Sequence, residues 1–467
     1  MSIDEQLDWL LEGTYFADEG GIADNSGSVG VPPAVDDGGR DARPTEPKSG
    51  LRQQMRTELQ KKLELSAKLK AKGLDDWPLR IYLGVDPTRT SLHIGHMVPC
   101  TQLRKFQALG HTVIFLIGDY TATIGDPSGQ SSEREALTHE RVLELAKFYT
   151  GQAFRLLDES KTEVRFNGEW LAKLSFAETA ELAAQFPLGQ VIARQDFRDR
   201  MESGAGVRLH ECLYMLMQGY DAFALNCDVQ VGGYDQHFNL LAGRALQKYF
   251  AGKHGRDIDH PAFAEHPATG KRVKGPHVML TYPLLMGTDG RKMSKSWGNT
   301  IDVLDTPEDM FGKVMRISDE MIANYIDVAI EARDAEKAEW KVKALDDPMG
   351  VKKWVAHSLT ALYHGEDKAR EAEAHFQRTV QDKQVIEQDV PEVVVKPKFL
   401  QDEPMRLVDL MVQHEMSGSK KAASRLIEGG SVKIDGETVT DIWANYIHKV
   451  GAVIRVSKRK QYCLKSK

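Results

Sequence analysis

The chain has 467 residues, of which 41% are hydrophobic and 28% are charged. This length is too great for one ordinary domain, and the composition is that of a multidomain globular protein. The sequence holds no run of about 18 apolar residues, which argues against a membrane span. The four cysteines lack the paired spacing of a zinc site and are too few for a disulfide framework, so we expect reduced thiols and a cytoplasmic location.

The net charge of -7 is distributed unevenly along the chain. Residues 1–50 hold three Lys and Arg against eleven Asp and Glu, and they become rich in Gly, Pro and Ser after residue 20. We therefore expect residues 1–50 to be a disordered acidic extension, apart from one short amphipathic turn at residues 7–11. Residues 404–467 hold twelve Lys and Arg against six Asp and Glu, which is typical of RNA binding, although a solvated basic surface would look the same.

From Leu51 the pattern predicts folded structure, beginning with a charged helix. Apolar runs predict strands at Arg80–Val85, Thr112–Ile117, residues 164–166 and residues 278–285, with segments of helical length between them. Such alternation builds parallel βαβ units, so residues 51–300 are predicted to form a Rossmann-type α/β domain.

The rest of the chain divides into three further segments. Residues 301–385 have a helical pattern, and residues 386–403, which contain several Val and Pro, favour an extended linker. Residues 404–467 are predicted to form a small α+β domain with helices at Leu407–Gln413 and residues 420–427.

The tetrad His93-Ile94-Gly95-His96 lies where the first predicted strand passes into a helix. The unpaired N–H groups and the positive dipole end of a helix N-terminus can hold a triphosphate. Gly95 has no side chain to keep an adenine away from the backbone, and the two imidazoles can donate hydrogen bonds to phosphate oxygens. A capping or buried role for both histidines is the alternative.

A second motif, Lys292-Met293-Ser294-Lys295-Ser296, follows the last predicted strand of the sheet. Negative charge grows on the departing pyrophosphate in nucleotidyl transfer, and two mobile ammonium groups can neutralise it. A loop suits this role because it can close when ATP is present. Alone, the pattern is equally that of a solvated charged loop, but together the two motifs are a strong signal.

These two motifs are the HIGH and KMSKS signatures of the class I aminoacyl-tRNA synthetases, which the sequence resembles. Three further segments, residues 82–88, residues 121–129, and residues 214–221 followed by 231–236, are similar to tyrosyl-tRNA synthetases, and the resemblance covers residues 51–467. It implies an enzyme that activates L-tyrosine with ATP and transfers it to the 3'-terminal adenosine of tRNA(Tyr). It also implies a homodimer, Mg²⁺ that is bound to ATP rather than to the protein, and no membrane association.

The resemblance also implies the site residues. The tyrosine-binding set is Tyr82, Thr121, Asp126, Tyr214, Gln218, Asp221 and Gln236, with Tyr82 and Asp221 at the phenol. Three of these, Tyr214, Gln218 and Asp221, have the spacing of one helical face. A core role for Tyr214 and turn or capping roles for Asp126 and Asp221 are the alternatives.

The implied ATP-binding set is Gly84, Asp86, His93, Gly95, His96, Gly233, Asp235, Lys292, Met293 and Lys295, of which the two histidines and two lysines are catalytic. Asp235 is assigned to the ribose. Three nearby residues depart from the family's usual pattern: Leu83, Tyr234 and His237.

The final domain resembles the S4 RNA-binding fold at the C-terminus of many bacterial tyrosyl-tRNA synthetases. The cations implied to contact tRNA are Lys420, Lys421, Arg425, Lys433, Lys458, Arg459 and Lys460. Such contacts neutralise phosphates and should be sensitive to salt. Two rival functions stay open: a ligase or nucleotidyltransferase with another substrate, and an RNA-binding protein without catalysis.

Overall fold

The computed structural model describes residues 1–16, 50–75, 77–127, 138–253, 264–265, 272–273, 276–381, 392–395, 405–446, 452–457 and 460–466. The chain forms two compact units, Met1–Glu373 and Ala374–Lys467. Among the described residues, no helix is long and apolar enough to cross a membrane.

The first unit is built on a five-stranded parallel sheet with the strand order β3-β2-β1-β4-β7. Its strands are β1 (Arg80–Val85), β2 (Thr112–Ile117), β3 (Thr162–Phe166), β4 (Val229–Gly233) and β7 (Val278–Tyr282). The chain adds β2 and β3 on one side of β1 and then β4 and β7 on the other side. A doubly wound sheet opens a ligand crevice at such a switch point, outside the carboxyl ends of its strands. The predicted Rossmann-type parallel sheet is therefore confirmed.

Helices surround this sheet, and a short hairpin of β5 (Ala264–Glu265) and β6 (Arg272–Val273) precedes β7. The helices before and between the strands are α1 (Ile3–Leu11), α2 (Leu51–Ala71), α3 (Ile94–Ala108), α4 (Thr121–Ile124), α5 (His139–Ala153), α6 (Gly168–Leu171), α7 (Phe176–Ala183), α8 (Leu188–Ile192), α9 (Gln195–Glu202), α10 (Leu209–Ala224) and α11 (His237–Lys253). Those that follow the sheet are α12 (Pro307–Val314), α13 (Ile322–Ala329), α14 (Asp334–Asp346), α15 (Pro348–His364) and α16 (Glu366–Phe376).

Helix α10 is held close to α11 by two glycines. A Cβ atom at Gly219 would lie 3.1 Å from the backbone of Ala242, and one at Gly243 would lie 2.8 Å from the His277 ring. Real Cβ atoms essentially never approach as closely as the second distance, and the first would force the neighbouring backbone to move. The glycines therefore fix the position of α10, which carries Tyr214, Gln218 and Asp221.

The helical segment that starts at residue 301 is not a separate unit, which differs from the expected boundary. The backbone N–H of Ile94 donates to the Ile301 carbonyl at 2.9 Å, and Val303 donates to Leu92 at 3.0 Å. These bonds join the segment to the start of α3, and residues 301–373 accordingly fold within the first unit.

The expectation of disorder is wrong for the first 16 residues. Ser2 and Glu5 form a capping box at the start of α1, a signal that the sequence does contain. Leu7, Leu10 and Leu11 are buried, because α1 packs on α2 and α3. The backbone N–H of Tyr15 then donates to Thr281 in β7 at 2.8 Å. Residues 17–49, to which the rest of that expectation applies, lie outside the described residues.

The second unit contains a five-stranded sheet with the order β11-β10-β13-β14-β8. Its strands are β8 (Glu392–Val395), β10 (Val432–Ile434), β11 (Glu437–Val439), β13 (Val453–Ser457) and β14 (Lys460–Ser466), beside a small pair of β9 (Met405–Arg406) and β12 (Asn445–Tyr446). Helices α17 (Leu407–Gln413) and α18 (Lys420–Glu428) supply buried residues to its core. Strand β8 lies inside the predicted linker 386–403 and pairs in parallel with β14, so that prediction is wrong for residues 392–395. The valine run there has the β-propensity that a sheet edge requires.

The first prediction tests the folded N-terminal segment. Leu10 is fully buried, so replacing it with alanine should lower the free energy of unfolding by about 2–5 kcal/mol. The measurement is urea unfolding followed by circular dichroism. Leu74→Ala, at a residue that is 44% exposed, is the control and should change stability little. Equal stability of Leu10→Ala and the parent would show that α1 does not pack on α2 and α3.

Candidate active site

A cavity of about 550 Å³ opens at the carboxyl ends of the five strands of the parallel sheet. This volume is within the usual range for small-molecule sites. Every residue that the sequence predicts for tyrosine or ATP binding lines this one cavity. The structure thus brings together motifs that are about 200 residues apart in the sequence.

The histidines of the first tetrad form a stacked pair at the start of α3. Their ring centroids are 3.5 Å apart with an angle of 25° between the planes, and the His93 backbone N–H donates to Nδ1 of His96 at 3.3 Å. Burial lowers the pKa of His93 to about 2, and enclosure by the cavity walls lowers that of His96 to about 4. Both rings are therefore neutral at pH 7, and each offers one N–H group to a ligand.

The two lysines of the second motif pair with carboxylates, of which Asp235 lines the cavity. Lys292 Nζ lies 3.2 Å from Asp235, and Lys295 Nζ lies 3.4 Å from Asp302. These ion pairs are partly exposed, so each contributes little stability and can be exchanged for a stronger anion. The arrangement differs from that of a solvated loop, because it holds two ammonium groups where a bound triphosphate would compete with the carboxylates for them.

Asn299 holds this lysine loop in place and was missed in the sequence. Its buried amide accepts a hydrogen bond from the Ser294 N–H at 2.7 Å and donates to the Lys292 carbonyl at 3.2 Å. The amide also donates to Asp289 at 2.7 Å, and this bond lowers the pKa of Asp289 to about 2. A Cβ atom at Gly287 would collide with the Asn299 amide. One side chain therefore ties the loop to the turn that precedes it.

At the opposite end of the cavity lies a buried carboxylate, Asp221. It accepts a hydrogen bond from Trp170 Nε1 at 2.7 Å and one from Asn167 Nδ2 at 3.2 Å. Burial raises the pKa of Asp221 well above its usual value, while these two donors oppose the rise. The fully buried Tyr82 has its hydroxyl 3.5 Å from the Gln218 carbonyl, which is a long hydrogen bond. A phenol placed here would meet both groups.

Asp86 connects the two predicted residue sets. The sequence places it among the ATP-binding residues, yet its carboxylate accepts hydrogen bonds from Tyr214 at 2.9 Å and Thr121 at 2.8 Å. Thr121 in turn accepts one from Asn167 at 3.0 Å. A Cβ atom at Gly118 would collide with the Asp86 carboxylate. Tyr214 is therefore a polar partner within the cavity rather than only a core aromatic residue.

A second chain of hydrogen bonds orients Asp126. Gln236 Nε2 donates to its carboxylate at 2.8 Å, and Asn239 donates to Gln236 at 3.0 Å. Among the described residues, the buried oxygens Oε1 of Gln218 and Gln230 have no hydrogen-bond partner. Acceptors of this kind, beside a carboxylate, suit an ammonium group.

Four further residues of this end were not predicted. They are Asn167, Trp170, Gln230 and Asn239. Two of them had a signal in the sequence: Gln230 interrupts an apolar strand, and Asn167 follows the last residue of β3 directly.

The predicted tRNA-binding cations lie in the second unit. Lys420, Lys421 and Arg425 are exposed on α18, and Lys433 lies on β10. Lys458, Arg459 and the side chain of Lys460 lie outside the described residues.

A doubly wound parallel sheet whose switch-point cavity combines a strand-to-helix histidine pair with a lysine loop defines the class I aminoacyl-tRNA synthetases. The family described as tRNA synthetases class I (W and Y) matches residues 75–381, and a domain described as the Tyrosine–tRNA ligase SYY-like C-terminal domain matches residues 382–463. The chain belongs to this family, whose members use ATP as a substrate.

Curated relatives agree with this assignment. The chain is 41% identical over 404 residues to a protein named Tyrosine–tRNA ligase from Thermotoga maritima, with 85% of this chain and 92% of the relative covered. It is 40% identical over 401 residues to the protein of that name from Desulfotalea psychrophila, at 85% and 92% coverage.

Solved structures show the same fold. The tyrosyl-tRNA synthetase of Archaeoglobus fulgidus complexed with L-tyrosine has a TM-score of 0.50 at 21% identity, covering 80% of this chain and 100% of that one. A C-terminally truncated mitochondrial tyrosyl-tRNA synthetase from Aspergillus nidulans has a TM-score of 0.51 at 21% identity, and the match covers 68% of this chain and 98% of that one.

The second prediction concerns Asn299. Replacing it with alanine removes its hydrogen bonds to the loop. Each buried group that loses its hydrogen-bond partner costs about 1–3 kcal/mol of free energy. The loop should then open more often, and trypsin should cleave after Lys292 and Lys295 roughly 5 to 150 times faster. Mass spectrometry of timed digests measures this. Thr300→Ala is the control, and identical cleavage rates in Asn299→Ala and the parent would contradict the role.

Proposed function

We propose that this chain is a tyrosine–tRNA ligase. It activates L-tyrosine with ATP to form tyrosyl-adenylate and pyrophosphate, and then transfers tyrosine to the 3'-terminal adenosine of tRNA(Tyr). The observation that carries the proposal is the pairing of Tyr82 with the buried Asp221 in a cavity whose other end holds His93, His96 and the two lysines. The names of the relatives support the same activity.

Tyrosine is selected through its hydroxyl group. The Asp221 carboxylate is held by Trp170 and Asn167 and has lone pairs left to accept the phenol O–H, and the Tyr82 hydroxyl lies in the same cavity as a second partner for that oxygen. Phenylalanine would leave these buried polar groups without a partner, which is the basis for rejecting it. Asp126, Tyr214 and Gln218 hold the ammonium group, and Gln236 and Thr121 complete the pocket.

Adenylate formation requires no side chain as a nucleophile. A carboxylate oxygen of tyrosine attacks the α-phosphorus of ATP, an O–P bond forms, and the bond to the bridging oxygen of the β-phosphate breaks as pyrophosphate leaves. Negative charge moves onto the leaving group, where the neutral imidazoles of His93 and His96 donate hydrogen bonds and Lys292 and Lys295 supply positive charge.

The remaining ATP residues position the nucleoside. Gly84, Gly95, Gly233 and Met293 line the wall without polar side chains, and Asp235 accepts hydrogen bonds from the ribose once Lys292 leaves it for phosphate. Mg²⁺ enters as the metal complex of ATP, held by phosphate oxygens.

In the second step a ribose hydroxyl of the terminal adenosine attacks the adenylate carbonyl, the ester C–O bond forms, and AMP leaves. The basic second unit holds the tRNA through Lys420, Lys421, Arg425 and Lys433, together with Lys458, Arg459 and Lys460. The enzyme acts in the cytoplasm as a homodimer, by similarity to its family. ATP–pyrophosphate exchange with each amino acid in turn tests the proposal, and exchange that is equal with tyrosine and phenylalanine would refute it.

The third prediction concerns the phenol pocket. Tyr82→Phe removes one partner of the substrate hydroxyl, so the ratio of kcat/KM for tyrosine over phenylalanine should fall roughly 5- to 150-fold, equivalent to about 1–3 kcal/mol. Pyrophosphate exchange with both amino acids measures the ratio. Tyr325→Phe is a matched control, because Tyr325 is also fully buried but does not line the cavity. An unchanged ratio in Tyr82→Phe would remove this residue from the recognition of the hydroxyl.

The fourth prediction concerns the lysine loop. Lys295→Ala removes a positive charge that acts on the leaving pyrophosphate, so the exchange rate constant should fall at least roughly 100-fold while the Kd for tyrosine changes less than about twofold. Rapid-quench kinetics and equilibrium dialysis measure the two quantities. Lys341→Ala, on α14, is the control. Equal exchange rates in Lys295→Ala and the parent would contradict the catalytic role.

A further inference from the structure

Trp443, in the second unit, is a large aromatic residue outside the buried core of that unit. Trp443 is 62% exposed, whereas the preceding Ile442 packs against the core of this unit. Single exposed apolar residues are common on protein surfaces. Trp443 is informative because of how rigidly it is held and because of the charges around it.

The backbone at Trp443 is fixed on both sides. Its N–H donates to the Asp441 carboxylate at 2.9 Å, and the next N–H, that of Ala444, donates to the Asp441 carbonyl at 3.1 Å. The Ala444 carbonyl accepts from Leu407 at 3.1 Å, at the start of α17. The indole is therefore displayed from an ordered turn, so little conformational entropy would be lost when a ligand stacks on it.

An arginine covers part of the indole. The Arg406 guanidinium carbon lies 4.6 Å from the ring centroid, and Arg406 itself is exposed. This geometry places a cation beside an aromatic face while most of the ring stays accessible. We name Trp443 and Arg406 together the indole platform.

The indole platform is connected through α17 to α18, which carries a basic face. Arg406 directly precedes α17, and Asp409 in the first turn of that helix pairs with Lys420 Nζ at 2.7 Å. Lys420 begins α18, on which Lys421 and Arg425 are exposed. Proteins bind single-stranded RNA with cations that contact the phosphates and with aromatic rings on which the bases stack. The indole platform and α18 supply both kinds of group.

We propose that the indole platform stacks an unpaired base of tRNA(Tyr) while the cations of α18 hold the adjoining phosphates. This inference rests on the proposed function and names a contact for its RNA partner. Stacking on an aromatic side chain changes RNA affinity by roughly 5- to 150-fold per base. Because stacking releases no counterions, its contribution does not depend on salt, whereas that of the lysines does.

The experiment measures filter binding of a tRNA(Tyr) transcript to the full chain over a series of salt concentrations. Trp443→Ala should raise Kd roughly 5- to 150-fold with an unchanged slope of log Kd against log salt. Trp443→Phe should keep most of the affinity, and Trp443→Leu, which stays apolar but cannot stack, should not. Lys421→Gln should instead reduce the slope by about one. Val380→Ala, at the exposed Val380 of the same unit, should match the parent.

ATP–pyrophosphate exchange with tyrosine is measured on the parent chain and on Val380→Ala, and the two rates should be equal. Parental affinity in Trp443→Ala, or equal affinity in the Phe and Leu variants, would overturn the indole platform. A smaller salt slope in Trp443→Ala would do so as well, because it would mean that the tryptophan only supports the neighbouring cations. Failure of the parent chain itself to exchange pyrophosphate with tyrosine would refute the proposed function, and the two failures are thus distinguishable.

Discussion

The cavity depends on buried carboxylates whose hydrogen bonds come from protein groups instead of from water. Asp86 and Asp221 are held within one network, in which Asn167 donates to Asp221 and to Thr121, and Thr121 donates to Asp86. A buried polar network of this kind is stable only when its members are satisfied. The raised pKa of Asp221 means that the folded state binds its proton more tightly than the unfolded chain, so stability is lost as pH rises above the ordinary range of an aspartate. This loss of stability accompanies the proposed role of Asp221 as the acceptor of the substrate hydroxyl.

Both signs of charge occur where phosphates are expected. Lys292 and Lys295 are paired there with Asp235 and Asp302, while Asp126 and Asp221 lie where an ammonium and a phenol are expected. His93 and His96 contribute no charge, because their lowered pKa values keep both rings neutral at pH 7. Two stacked imidazolium ions would repel each other, so neutrality is also what allows the rings to pack 3.5 Å apart.

The sequence predicted the parts of this protein that local chemistry specifies. Strands β1 and β2 have the predicted bounds because their sequences are mostly apolar, but β4 was not predicted, since its consecutive Gly232 and Gly233 disfavour a strand. The cavity residues followed from family motifs rather than from physics. Asn167 and Trp170 were missed because their partners, Thr121 and Asp221, are distant in the sequence. Asn299 was missed because its contacts with Asp289, Lys292 and Ser294 form only when the loop folds back on itself. Residues 1–16 were missed because the acidic composition of the stretch that follows outweighed the capping box.

The lysine loop lies between two glycines and is tied to the rest of the site through Asn299. Gly290 and Gly298 flank it with φ values of +80° and +65°, a left-handed conformation in which glycine is unstrained. Outside these glycines the backbone is anchored, since Ile301 and Val303 bond to the segment that opens α3. Rotation about the glycines would break the hydrogen bonds of Asn299 and carry both ammonium groups, while the histidines stay fixed at the start of α3. We expect this part of the proposed nucleotide site to respond to phosphate.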